Sequence, residues 1–97
     1  MSDVSLNSIK KDLSNIRYYF LYLHEIEGDY DYLRELYQKY DRIAKDLPAK
    51  FYSLYFHLYH LGYTQSQFAF LKGYSCKYVY KLNKELVSLM QKSLCSI

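Results

Sequence analysis

Apolar positions recur at helical spacing from near the start of this 97-residue chain. Leu6, Ile9, Leu13, Ile16, Phe20 and Leu23 follow steps of three and four, which predicts a helix over about 6–26 with a coiled-coil-type seam. Ser5 stands where an N-cap belongs. Glu27, Gly28, Asp29 and Tyr30 break the pattern, and Asp29 is a suitable cap for a second helix over about 30–47. There Leu33, Leu36, Tyr37, Tyr40, Ile43, Ala44 and Leu47 repeat the spacing. A short break between two matching seams predicts an antiparallel helical hairpin. Self-association of two copies through the first seam is the alternative use of the same residues.

Pro48 opens a third helix over 48–61, since proline is tolerated in a first turn. Phe51, Leu54, Tyr55, Leu58 and Leu61 would form its apolar side. Gly62 then reads as a left-handed C-terminal residue. Thr64 caps a short fourth helix over 65–72, Gly73 interrupts it, and Ser75 caps a fifth that runs to about 92. Val79, Leu82, Leu86 and Leu89 are its expected buried face. The fold expectation is one all-α domain over 1–97, with a hairpin over 1–47 and a three-helix unit over 48–97. No regular strand alternation competes with it.

Charge divides the chain more sharply than its net +3 suggests. Residues 1–49 carry seven bases against nine acids, whereas residues 50–97 carry six lysines against Glu85 alone. A basic half beside a mildly acidic one is what a DNA-facing end joined to a packing end would look like. No apolar run approaches the ~20 residues of a membrane span. The first residues lack the basic and apolar regions of a signal peptide, so a cytoplasmic protein is expected. Cys76 and Cys95 form no CxxC pair and are read as reduced thiols. The 14 tyrosines and absent tryptophan fit half-wet surfaces, although an AT-rich coding sequence accounts for such a count equally well.

The segment 64–92 carries the most specific spacing. A helix-turn-helix needs a small residue where its helices cross, here Ala69, and a left-handed residue four positions on, here Gly73. Val79 locks the second helix onto the first, and Phe68, Tyr74 and Leu82 close the small core. With Gln65 and Ser75 in register, this pattern resembles the helix-turn-helix of bacterial and phage regulators. The wider span 48–94 is similar to sigma factor region 4, including an LGYT-like link at 61–64. A preceding helical pair resembles small phage regulators of the autolysin-regulator or late-transcription type. The resemblance implies duplex DNA as partner, with RNA polymerase as an additional one.

In such a unit the start of the second helix enters the major groove. Ser75, Cys76, Lys77, Tyr80, Lys81 and Lys84 are then the outward residues, and Thr64 and Gln65 stand near a phosphate at the first helix's start. Lys77, Lys81 and Lys84 form one basic stripe. No arginine follows Arg42, and lysine holds phosphate as a point charge without the fork that reads guanine. Backbone contact is therefore expected to outweigh base reading.

Other chemistry is thin. His57 and His60 lie i, i+3, but neither His24 nor Cys76 completes a metal-ligand spacing, so no metal or other cofactor is expected. The acids between Glu25 and Asp31 lack calcium-loop spacing. No phosphate loop or nucleophile elbow appears, so catalysis is not expected. The rival class is a protein-interaction module on the same scaffold, such as a small phage inhibitor of a host enzyme. Its interface would use Tyr18, Tyr19, Tyr22, Tyr52 and Tyr59. A ring-forming DNA-packaging adaptor is the third class.

Overall fold

Every element among residues 4–22 and 31–95, the part of the chain that the computed structural model describes, is helical. The elements are α1 (Leu6–Leu21), α2 (Asp31–Lys45), α3 (Ala49–Tyr55), α4 (Gln65–Lys72) and α5 (Cys76–Cys95), with α3 running on into a π turn over Phe56–His60. Asp29 and the acidic break around it lie outside the described residues.

Ser5 starts α1 as its sequence position implies: its Oγ accepts the Ser8 N–H at 3.0 Å. This satisfies one of the donors a first helical turn leaves open. Ile9, Leu13 and Ile16 are at most 1% exposed and sit in one core cluster fed by every helix. That cluster takes Leu36, Tyr40 and Ala44 from α2 and Phe51, Leu54 and Tyr55 from α3. It also takes Leu58 from the π turn, Phe68 and Ala69 from α4, and five residues of α5 from Val79 to Met90. The seam of α1 serves α2, α5 and the π turn together, rather than α2 alone.

The third helix departs from its expected form. After Tyr55 the backbone widens, and the Leu61 N–H bonds the Phe56 carbonyl at 3.0 Å. Residues five apart lie about 140° apart on an α-helix, but i→i−5 bonding brings them toward one side. Tyr55 and His60 thereby converge on Asp41 of α2. The Tyr55 hydroxyl donates to Asp41 Oδ1, and His60 Nε2 lies 2.8 Å from the same oxygen. The His60 ring also stacks on Phe20 of α1 at 4.1 Å between centroids. The same widening shifts the helical phase, so Leu61, expected on the apolar side, is 49% exposed. Gly62 closes the turn at φ +77°, and its carbonyl accepts from Arg17 of α1 at 2.9 Å.

Tyrosine hydroxyls join the helices at the margin of the core. Tyr40 of α2 donates to Asp12 of α1 at 2.7 Å, and Tyr59 of the π turn donates to Asn83 of α5 at 2.7 Å. Burial first, and then the carboxylate partner, push the Tyr40 and Tyr55 hydroxyls far above the ordinary tyrosine range. Burial also raises Tyr59.

Two outcomes follow from this packing. A folded pKa above the unfolded one keeps its stabilisation below about pH 10 and loses it above, where only the unfolded chain ionises. Stability should therefore fall above about pH 10 by roughly 1.4 kcal/mol per pH unit for each such tyrosine. Urea midpoints across that range should show a shallower fall for Tyr40→Phe and Tyr55→Phe. Separately, Gly73→Ala should cost about 1–2 kcal/mol for a left-handed Cβ residue. Gly62→Ala should cost more, because its Cβ meets the Leu21 side chain whereas Gly73 has nothing within 4 Å. Equal denaturation midpoints for the two would contradict that order.

Candidate nucleic-acid interface

Local sequence chemistry sets the two helices of the motif. The Thr64 hydroxyl accepts the Gln67 N–H at 3.1 Å while the Gln67 side chain accepts the Thr64 N–H at 2.9 Å, a complete capping box. At the other end of α4, Gly73 takes φ +71°. The Tyr74 N–H reaches the Ala69 carbonyl at 2.8 Å and the Gly73 N–H reaches Phe70 at 3.3 Å, the paired bonds of a Schellman turn. Ser75 then caps α5 by accepting the Tyr78 N–H at 3.1 Å. Thus Thr64, Gly73 and Ser75 each do the local job their positions imply.

Packing fastens the pair. Ala69 is 2% exposed and Val79 is fully buried, with Phe68 and Leu82 beside them. Tyr74 closes this small core only at its edge: its ring lies 6.4 Å from that of Phe68, but it is 41% exposed and also meets Tyr78 edge-on at 5.0 Å. Farther along α5, Leu89 is only partly buried, and Val87 and Met90 fill the core instead. Beyond α4, the helix α5 packs on α1, α2 and α3, which the motif's own periodicity does not describe.

The basic stripe lies opposite that buried face. At about 100° per residue, Val79, Leu82, Leu86 and Met90 cluster around one direction, and Lys77, Lys81 and Lys84 around the reverse. Ser75, Cys76, Lys77, Tyr80, Lys81 and Lys84 are all exposed. Five of them, with Cys76 excepted, line one shallow groove that also contains Tyr78, which periodicity alone did not single out. Lys84 Nζ stands 5.0 Å over the Tyr80 ring, leaving a cation and an aromatic face side by side. Cys76 instead turns its thiol toward the Ser66 hydroxyl at 3.8 Å.

Thr64 and Gln65 do not join that groove. They line a separate depression with Arg17, Leu58, Tyr59 and Tyr63. The largest surface surprise is Phe70 on α4, 91% exposed beside a half-exposed Leu71. Sequence spacing gave no sign of it, because Phe70 follows directly on the buried pair Phe68 and Ala69.

The histidines have separate partners. His57 Nδ1 lies 2.7 Å from the Ser53 carbonyl of its own helix, so that nitrogen carries the proton, while His60 faces Asp41. No group of three or more potential metal ligands occurs among the described residues, and His24 lies outside them. Cys76 and Cys95 are free and exposed at opposite ends of α5. No helix among the described residues is long and apolar enough to cross a membrane. Comparison with protein-family models, with curated proteins and with solved structures gives no match to this chain.

The crossing of α4 and α5 yields a contrast in stability. Ala69→Leu, which overfills the contact, should cost about 1–3 kcal/mol. Phe70→Ala should stay within about 0.5 kcal/mol of the native chain, as surface changes do. Thermal or urea unfolding of the two variants measures the difference.

Proposed function

We propose that this chain is a small cytoplasmic regulator that binds duplex DNA, with the N-terminal half of α5 in the major groove. One observation carries the proposal. An exposed Lys77, Tyr80, Lys81 and Lys84 face projects from a helix whose opposite side is buried, next to a capped, glycine-turned partner helix. In this arrangement the lysines neutralise phosphates, and Tyr80 lies against sugar or a thymine methyl. Cys76, Lys77 and Ser75 enter first. Thr64 and Gln65 play a lesser part, since the Thr64 hydroxyl already accepts the Gln67 N–H and both residues line another depression. With no arginine beyond Arg42, affinity comes chiefly from the backbone.

RNA polymerase is the additional partner in this proposal, through the sequence resemblance of the last three helices to sigma factor region 4. A dimer through the N-terminal helices would use the exposed Tyr18, Leu21 and Tyr22, because Ile9, Leu13 and Ile16 are consumed by the chain's own core. A protein-interaction module is the second reading, and the observation favouring it is Phe70, nearly bare on α4. Of the tyrosines proposed for such an interface, Tyr19 is buried and Tyr59 is bonded to Asn83. Tyr18 and Tyr22 remain exposed, with their rings tilted against each other at 4.8 Å between centroids.

Lys77→Glu, Lys81→Glu and Lys84→Glu together should abolish duplex binding while leaving the helical circular-dichroism signal and unfolding midpoint unchanged. Wild-type affinity should fall steeply with salt, with a log–log slope of about −0.9 for each phosphate neutralised. Absence of any duplex binding by the wild type near 50 mM salt would exclude the proposal.

A further inference from the structure

The basic face of α5 does not stop at the recognition residues. Ser88 and Lys92 continue the Lys77, Lys81, Lys84 series at steps of four, so one direction of the helix carries the whole row. From Lys77 to Lys92 the row is about 22 Å long at 1.5 Å per residue, the axial length of six or seven base pairs. A major-groove helix that reads bases only through its first turns leaves the far end of this row without a role.

That far end is part of a second groove, to which α3 contributes. Lys50 from the first turn of α3 faces Lys81, Lys84, Ser88 and Lys92 of α5 across it. Lys81 and Lys84 line both this groove and the one that starts at Ser75, so the two adjoin. Glu85 is the only acid lining it, and none of the four lysines forms an ion pair with a described residue. Lys50 Nζ is held 5.1 Å from the Phe51 ring, which places its charge at the groove margin. Four exposed lysines from two helices against one carboxylate give this groove a net positive potential that favours an anion.

We infer that Lys50 and Lys92, with Ser88 between them, form a second phosphate-backbone site that carries nucleic acid beyond the recognition contacts. This deepens the proposed DNA binding and rests on it. Alignment with the recognition row along one direction of α5 favours a phosphodiester strand over an acidic protein segment, because a strand presents charges at regular intervals along that row.

Fluorescence anisotropy on one labelled duplex of about 20 base pairs, titrated from about 50 to 200 mM salt, tests the site. Lys50→Gln combined with Lys92→Gln should lower the salt slope by about 1.8, so that its affinity deficit shrinks about tenfold across that range. Lys10→Gln with Lys11→Gln, exposed lysines of α1, makes the same charge change and should leave the slope unaltered. An unchanged slope in the Lys50 and Lys92 variant, or an equal change in both variants, overturns the second site while DNA binding stands. A polyglutamate peptide that binds the wild type and not that variant, with the DNA slope intact, overturns it in favour of an acidic protein partner. Failure of the wild type to bind duplex at all removes the proposed function itself, and this site with it.

Discussion

The buried column Ile9, Leu13 and Ile16 on α1 is the constraint from which the rest of the molecule is arranged. A single helix with one apolar stripe ordinarily satisfies one neighbour. Here three elements meet at α1, namely α2, α5 and the π turn. Because α5 is held from behind by α1, its Val79, Leu82, Leu86, Val87 and Met90 are drawn inward and its lysines are left facing water. The orientation of the proposed DNA-binding face is thus set by a helix far from it in sequence. The Gln91 side chain, donating to the Val4 carbonyl at 2.8 Å, fixes the far half of α5 to the entry of α1.

Polar contacts then decide how the helices are registered. Asp41 accepts from both Tyr55 and His60, and the π turn is what allows residues five apart to reach one carboxylate. Arg17 and Gly62 close the next turn, so the chain enters the motif at Thr64 from a position tied to α1. Buried tyrosine rings with partnered hydroxyls serve this purpose well, since each supplies apolar area and one directed bond. Much of the unusual tyrosine content is therefore structural, and among the described residues the exposed tyrosines are Tyr18 on α1, Tyr22 just beyond it, Tyr32 on α2, and Tyr74, Tyr78 and Tyr80 around the start of α5.

The local features of the motif were legible because they depend on neighbours in sequence. A cap needs an oxygen next to a helix start, as at Ser5, Thr64 and Ser75, and a left-handed turn needs a residue without Cβ, as at Gly62 and Gly73. The helical class and the buried pair Ala69 and Val79 followed from spacing in the same way. Tyr74 was legible only in part, because a ring at a turn can lie on the core or beside it, and here it touches both Phe68 and the exposed Tyr78. Leu61 escaped because periodicity assumes 3.6 residues per turn, and the π turn breaks that assumption.

By itself, then, the sequence determined where caps and left-handed turns fall, the apolar face of most of the helices, and that net positive charge lies in one half, where six lysines stand against a single acid. These are consequences of backbone capping, glycine stereochemistry and periodicity, all local in range. Tertiary structure alone decided that α1 serves three partners and that Lys50 faces Lys92 across a groove. It also decided that Thr64 and Gln65 line a depression separate from the lysine row, and that Phe70 is left bare. Those outcomes depend on how helices distant in sequence share one core, and no window of neighbouring residues contains that information.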